Sequence, residues 1–137
     1  RLWKKWREHS QILPTLTQKK KKISIPVLKA NEPTMTTIKE GVRRRLTHTE
    51  DLMMVVIDFE NGPWKQPDPP HSHVHEQTTY IVEGEIIFFC EGESEQRLRP
   101  GDMFSVPSGK EHTIQLLTKT AKLIDSFTPL RKEFLSL

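Results

Sequence analysis

From Ile23 onward, apolar and polar residues alternate in short runs, and turn-forming residues bound each run. The pattern predicts strands over Val42–Thr47, Leu52–Phe59, Thr78–Val82, Glu85–Cys90, Gln96–Leu98, Met103–Val106, Thr113–Leu117 and Ala121–Phe127. Glu83-Gly84-Glu85, Glu91-Gly92-Glu93 and Arg99-Pro100-Gly101-Asp102 read as the turns between them. The stretch from Asn61 to Pro70 cannot be a central strand, because its prolines have no amide to donate. It is expected to form a rigid loop that delivers His71 to the body of the domain. Many short strands without a long helical repeat indicate an all-β sandwich or barrel.

The first 22 residues break this pattern. Leu2, Trp3, Trp6, Ile12 and Leu13 fall along one helical stripe until Pro14 interrupts it, and Lys19 to Lys22 read as a solvated linker. A basic N-terminal arm, helical or extended, is therefore expected over residues 1–22, with one barrel domain over 23–137. A basic amphipathic helix suits an anionic membrane or nucleic acid. The plainer reading is that the arm packs its tryptophans on its own domain or on a partner subunit. No helix-turn-helix signature accompanies it, so neither nucleic acid nor membrane is expected as a partner.

Composition supports a single core. The chain has 137 residues, of which 34% are hydrophobic, with ten prolines, as suits one turn-rich β domain. The net charge of +3 conceals an asymmetry. Residues 1–22 hold eight Lys/Arg against Glu8 alone, net +7, and the remainder holds 13 against 17 acidic residues, net −4. Cys90 is the only cysteine, which excludes an internal disulfide; its apolar run Ile86 to Cys90 suggests a buried structural thiol. No apolar run approaches the ~20 residues of a membrane span, and the start of the chain lacks a secretory apolar stretch. A cytoplasmic location is expected.

Metal-ligand chemistry is concentrated in two places. His71 and His73 alternate, so on an extended strand both imidazoles project from one face, and Gln77 shares their parity. His112 arrives from a distant strand and completes a set of four. Three neutral imidazoles and an amide oxygen suit a divalent transition ion (Ni, Fe, Mn, Zn or Cu) and disfavour Ca and Mg, which prefer charged oxygen shells. His75 and Glu76 are expected outside the set, and His9 and His48 to be solvated.

These residues stand in two motifs that resemble those of the cupins. The first appears as His71-x-His73-x3-Gln77-x6-Gly84, with Gln77 where the family carries Glu and Lys65 where it carries a leading Gly. The second runs Gly101-x5-Pro107-x-Gly109-x2-His112, with Leu116 in place of a terminal Asn. The resemblance implies a double-stranded β-helix, the small jelly-roll barrel, and a homodimer formed by strand pairing or exchange of the N-terminal segment. The tail Asp125-x-Phe127-x-Pro129-x-Arg131 is similar to that of one cupin group, the KdgF-type proteins, which linearise 4,5-unsaturated uronates. That similarity implies a sugar-acid substrate, with Asp125, Phe127 and Arg131 as catalytic residues beside the metal. Arg presents a planar fork to a carboxylate, an aromatic face packs on a sugar ring, and Asp moves a proton. On the residues alone, Phe127 could equally be core and Asp125 could pair with Arg131. The same ligand set also serves an Fe(II)-dependent dioxygenase or a non-catalytic small-ligand-binding cupin.

Overall fold

The computed structural model describes residues 27–32 and 35–135, so the arm expected at 1–22 lies outside the described residues. Among these, nine strands follow in order: β1 (Thr36–Lys39), β2 (Val42–His48), β3 (Met53–Phe59), β4 (Glu76–Glu83), β5 (Ile86–Cys90), β6 (Gln96–Leu98), β7 (Met103–Val106), β8 (His112–Leu116) and β9 (Ala121–Thr128). A short 3-10 helix, Lys132–Leu135, follows. All pairings are antiparallel. One sheet has the order β1-β2-β3-β9-β4-β7 and the other β6-β5-β8. This is the jelly-roll barrel that the resemblance implies, within the sandwich or barrel class that the strand pattern indicates.

The sheets close on a shared apolar interior because every long strand alternates. Along β9, Ala121, Leu123, Asp125 and Phe127 are buried while the residues between them are more exposed. Val42, Phe59, Ile81, Leu123, Ile86 and Leu116 join the two sheets at one end. Met53, Val55 and Phe127 form a second cluster, on which Leu130 and Phe134 from the C-terminal segment pack. Each buried Leu, Ile or Phe side chain stabilises such a core by ~1.5–3 kcal/mol.

Several expectations are refined. Strands β6 and β7 have the predicted bounds, while β4 begins at Glu76 and β8 at His112, bringing Gln77 and His112 inside strands. The edge strand β1 was not anticipated; its Thr-Thr-Ile-Lys sequence is exposed at all four positions and so shows no alternation. Cys90 is half-buried rather than fully buried, because it ends β5 just before the Glu91–Glu93 turn.

The proline-rich loop does more than connect β3 to β4. It runs beside β8 and uses the amides that its prolines leave available. Trp64 and Asp68 donate to the carbonyls of Leu116 and Ile114 at 2.9 and 3.1 Å. His71 and His112 then exchange both backbone bonds, at 3.0 and 2.9 Å, as an isolated antiparallel bridge. At the far end of β4, Gly84 turns the chain with φ +81°. A Cβ there would collide with the backbone of Thr120 and Ala121, so both conformation and space require glycine.

Candidate metal centre and cavity

Backbone pairing sets the position of two of the three histidines. The His71–His112 bridge brings those rings to 4.4 Å between centroids, and His73 lies 4.9 Å from His112 and 5.6 Å from His71. One ring nitrogen from each falls within 4.8 Å of the others, so the three can reach one ion. His75 shares their odd number, so counting positions alone would admit it. What excludes it is a bend of the chain at Val74–His75, before β4 begins at Glu76. His48 is exposed, with its Nδ1 against the carbonyl of Thr49, as expected of a solvated residue.

The hydrogen bonds orient the imidazoles. Nδ1 of His73 faces the carbonyl of His75 at 2.8 Å, and Nδ1 of His112 faces that of Lys110 at 2.9 Å. A carbonyl only accepts, so each Nδ1 carries the proton and each Nε2 presents a lone pair. Nε2 of His112 is buried without a hydrogen-bond partner. Nε2 of His73 faces the Oε1 of Gln77 at 3.1 Å. The amide is fixed in that sense because its Nε2 donates to Thr79 Oγ1 at 2.9 Å and to Asp125 Oδ1 at 3.5 Å. Two acceptors therefore confront each other across 3.1 Å and need a shared cation, a proton or a metal ion. An orphaned Nε2 and a facing amide oxygen fit a transition ion.

Electrostatics keeps ligands neutral here. Burial, reinforced by the neighbouring His112, His73 and Arg131, pushes His71 down to about 4. Burial also lowers His112. An unprotonated imidazole is the form that binds metal.

Two of the three histidines open into a cavity of about 290 Å³ between the two sheets. His71 and His112 line it with Gln77, Asp125, Phe127 and Arg131. Asp125 is buried on β9, and its Oδ1 accepts from Thr79 Oγ1 at 2.6 Å. Burial pushes its carboxyl up to about 6, against the opposing pull of Thr79, Arg131 and Gln77. The alternative in which Asp125 pairs with Arg131 is not what the structure shows; Nε of Arg131 lies 3.6 Å from Glu133 Oε1. Phe127 is both core and cavity wall, 2% exposed and edge-on to His73 at 5.8 Å. Arg131 stacks over Phe134 at 4.2 Å and lies 5.3 Å from the centre of Phe127.

Two contributors escaped the reading of the sequence. Thr79 binds the carboxyl of Asp125, and Arg44 lies 3.7 Å over the Phe134 ring. Strand parity carried the signal for Arg44, since it shares a face with Val42 and Leu46 and a strand burying those also buries Arg44.

Known proteins share this fold. The model of the cupin domain matches residues 55–127. The pectin degradation protein KdgF of Dickeya dadantii (strain 3937) is 34% identical over 98 residues, covering 70% of this chain and 86% of that protein. The solved structure of KdgF from Halomonas sp. superposes with a TM-score of 0.69 at 33% identity, covering 77% of this chain and 96% of the other. An RmlC-like cupin from Shewanella frigidimarina gives 0.71 at 31% identity, covering 81% and 96%. Among the described residues, no helix is long and apolar enough to cross a membrane.

Proposed function

The chain belongs to the cupin family, and on that premise we propose that it holds a divalent transition ion on His71, His73, Gln77 and His112 and opens the ring of a 4,5-unsaturated uronate. The observation that carries this reading is the shared cavity, which is lined by His71 and His112 as well as by Asp125 and Arg131. The similarity to KdgF, a pectin degradation protein, points to the same substrate class.

With neutral ligands only, a bound ion keeps its full charge and supplies Lewis acidity toward substrate oxygen. The remaining steps belong to the protein. Arg131 receives the sugar carboxylate, and Phe127 packs against the ring. Thr79 and Gln77 hold Oδ1 of Asp125, leaving Oδ2 for a ligand in the cavity. Asp125 takes the proton of the anomeric hydroxyl as the bond from C1 to the ring oxygen breaks. The electron pair passes to that oxygen, now an enolate on C5, and the former hydroxyl becomes an aldehyde. Returning the proton to C4 converts the enolate to a ketone. The sequence is an isomerisation and needs neither water nor an oxidant. A carboxyl near 6 can both take and return a proton close to neutral pH.

The test is the loss of ultraviolet absorbance of an unsaturated uronate under metal-loaded protein. The rate is expected to exceed the spontaneous reaction and to be unchanged without oxygen. A rate equal to the spontaneous one defeats the uronate reading, and oxygen consumption would indicate a dioxygenase instead.

A further inference from the structure

One wall of the cavity carries more positive charge than the mechanism uses. Arg44 projects inward from β2 opposite Ile57, a cavity-lining residue, and is only 8% exposed. Its guanidinium lies over the ring of Phe134 at 3.7 Å, and Arg131 lies over the same ring at 4.2 Å. Phe134 also meets Phe127 edge-on at 5.9 Å, so the ring ties both cations to the cavity wall. Packing alone does not call for this arrangement. A leucine or methionine in place of Arg44 would fill the space without removing a charge from water.

The charges facing this ring point the same way. Arg44 and Arg131 repel one another, and both are lowered, chiefly by burial. Glu133 opposes both, and Asp125 opposes Arg131. Lys39 and Asp68, on the same cavity, offset each other at 3.6 Å. Two guanidiniums thus meet on one ring at the cavity wall, a place that suits the carboxylate of a ligand.

We propose that Arg44 is a positioning residue: stacked on Phe134, it fixes the Arg131 guanidinium where a substrate monocarboxylate binds and adds the charge that attracts it. This rests on the cavity being the uronate site. It adds that carboxylate binding depends on a residue that does not touch the substrate, through an aromatic ring in the C-terminal 3-10 helix.

The experiment uses the full metal-loaded chain in four forms: wild type, Arg44→Met, Arg44→Lys and Phe134→Leu. Steady-state rates on the unsaturated uronate are read together with the NMR signal of the Arg131 Nε–H. Arg44→Met is expected to raise KM about tenfold with kcat within about twofold, the size of a desolvated cation–π contact. It should also displace or broaden the Arg131 signal. Arg44→Lys, which keeps the charge but not the planar stack, should fall between, and Phe134→Leu should reproduce the rise in KM. An unchanged KM in Arg44→Met, or an unchanged Arg131 signal, overturns the proposal even if thermal stability falls. Should Arg44→Met not fold, Phe134→Leu and Arg44→Lys decide by the same two readings. Should wild type show no turnover, the uronate reading fails and Arg44 is judged by the Arg131 signal alone.

Discussion

On the side of the cavity nearest β8, His73 and His112 are held by backbone carbonyls at 2.8 and 2.9 Å, and their Nε2 atoms are left without a donor. On the side formed by β9 and the C-terminal segment, Asp125 already has a donor in Thr79, and Arg131 is held by stacking on a phenyl ring. The imidazole side is set by strand pairing and short carbonyl contacts, and it turns lone pairs toward a shared point. The carboxyl and guanidinium side is polar and buried, and it favours a proton on one group and an anion beside the other. A metal ion and an anionic ligand therefore satisfy complementary deficits. Separating them by mutation tests whether the two sides act as distinct devices.

The largest expected effect comes from the imidazole side. His112→Ala removes a buried imidazole from the bridge, so on the proposed reading metal content by elemental analysis should fall close to zero. The uronate rate should fall with it to the spontaneous level. If this variant retains both metal and activity, the ion is not held where proposed.

Next is the carboxyl. Asp125→Asn keeps the shape and can still accept from Thr79, but it cannot carry the proton. Turnover should fall by ~10²–10⁴-fold, the usual worth of positioned proton transfer. Metal content should stay at the wild-type level. Loss of metal in this variant would show that the two sides are not separable. Arg131→Met should act mainly on KM, raising it roughly 10–100-fold as expected for losing a charge-assisted bond. A fall in kcat with unchanged KM would instead assign Arg131 to the chemical step.

The same contrast explains what the sequence made readable. Strands such as β7 and β9 alternate cleanly, and the parity of Ala121, Leu123, Asp125 and Phe127 correctly places Asp125 among inward residues. His71 and His73 were read from their alternation on an extended strand, yet only His71 makes a bridge and His73 lies before β4. Their convergence comes from the proline-rich loop lying along β8, a long-range pairing that no local pattern encodes. Gln77 is legible from its parity with His71 and His73, although the predicted strand begins only at Thr78, and its orientation depends on Thr79 and Asp125. Arg44 was concealed by its own chemistry. Three arginines in succession suggest a solvated face, and only parity with Val42 and Leu46 separates the buried one from its neighbours.

The smallest effect is on stability, and it requires metal-free protein. The carboxyl of Asp125 is raised from 3.8 to about 6 on folding. Below about 4 it is protonated in both states and contributes no difference. Between 4 and 6 the folded state retains a proton that the unfolded chain has released, so stability falls as pH rises through this window. Above about 6 the full cost remains, at most about 3 kcal/mol. His71, lowered from 6.5 to about 4, acts in the opposite sense: the folded state holds fewer protons there, and stability rises with pH through much of the same range. The wild-type profile is the sum of these opposing slopes and can look flat. Subtracting it from that of Asp125→Asn cancels the histidine contribution and leaves the carboxyl alone. The metal-free variant should therefore melt higher than metal-free wild type at pH 7–8, and the advantage should shrink to nothing near pH 4. A difference in melting temperature that does not change between pH 4 and pH 8 would mean that folding does not raise the Asp125 carboxyl, and its suitability for moving a proton near neutral pH would fall with it.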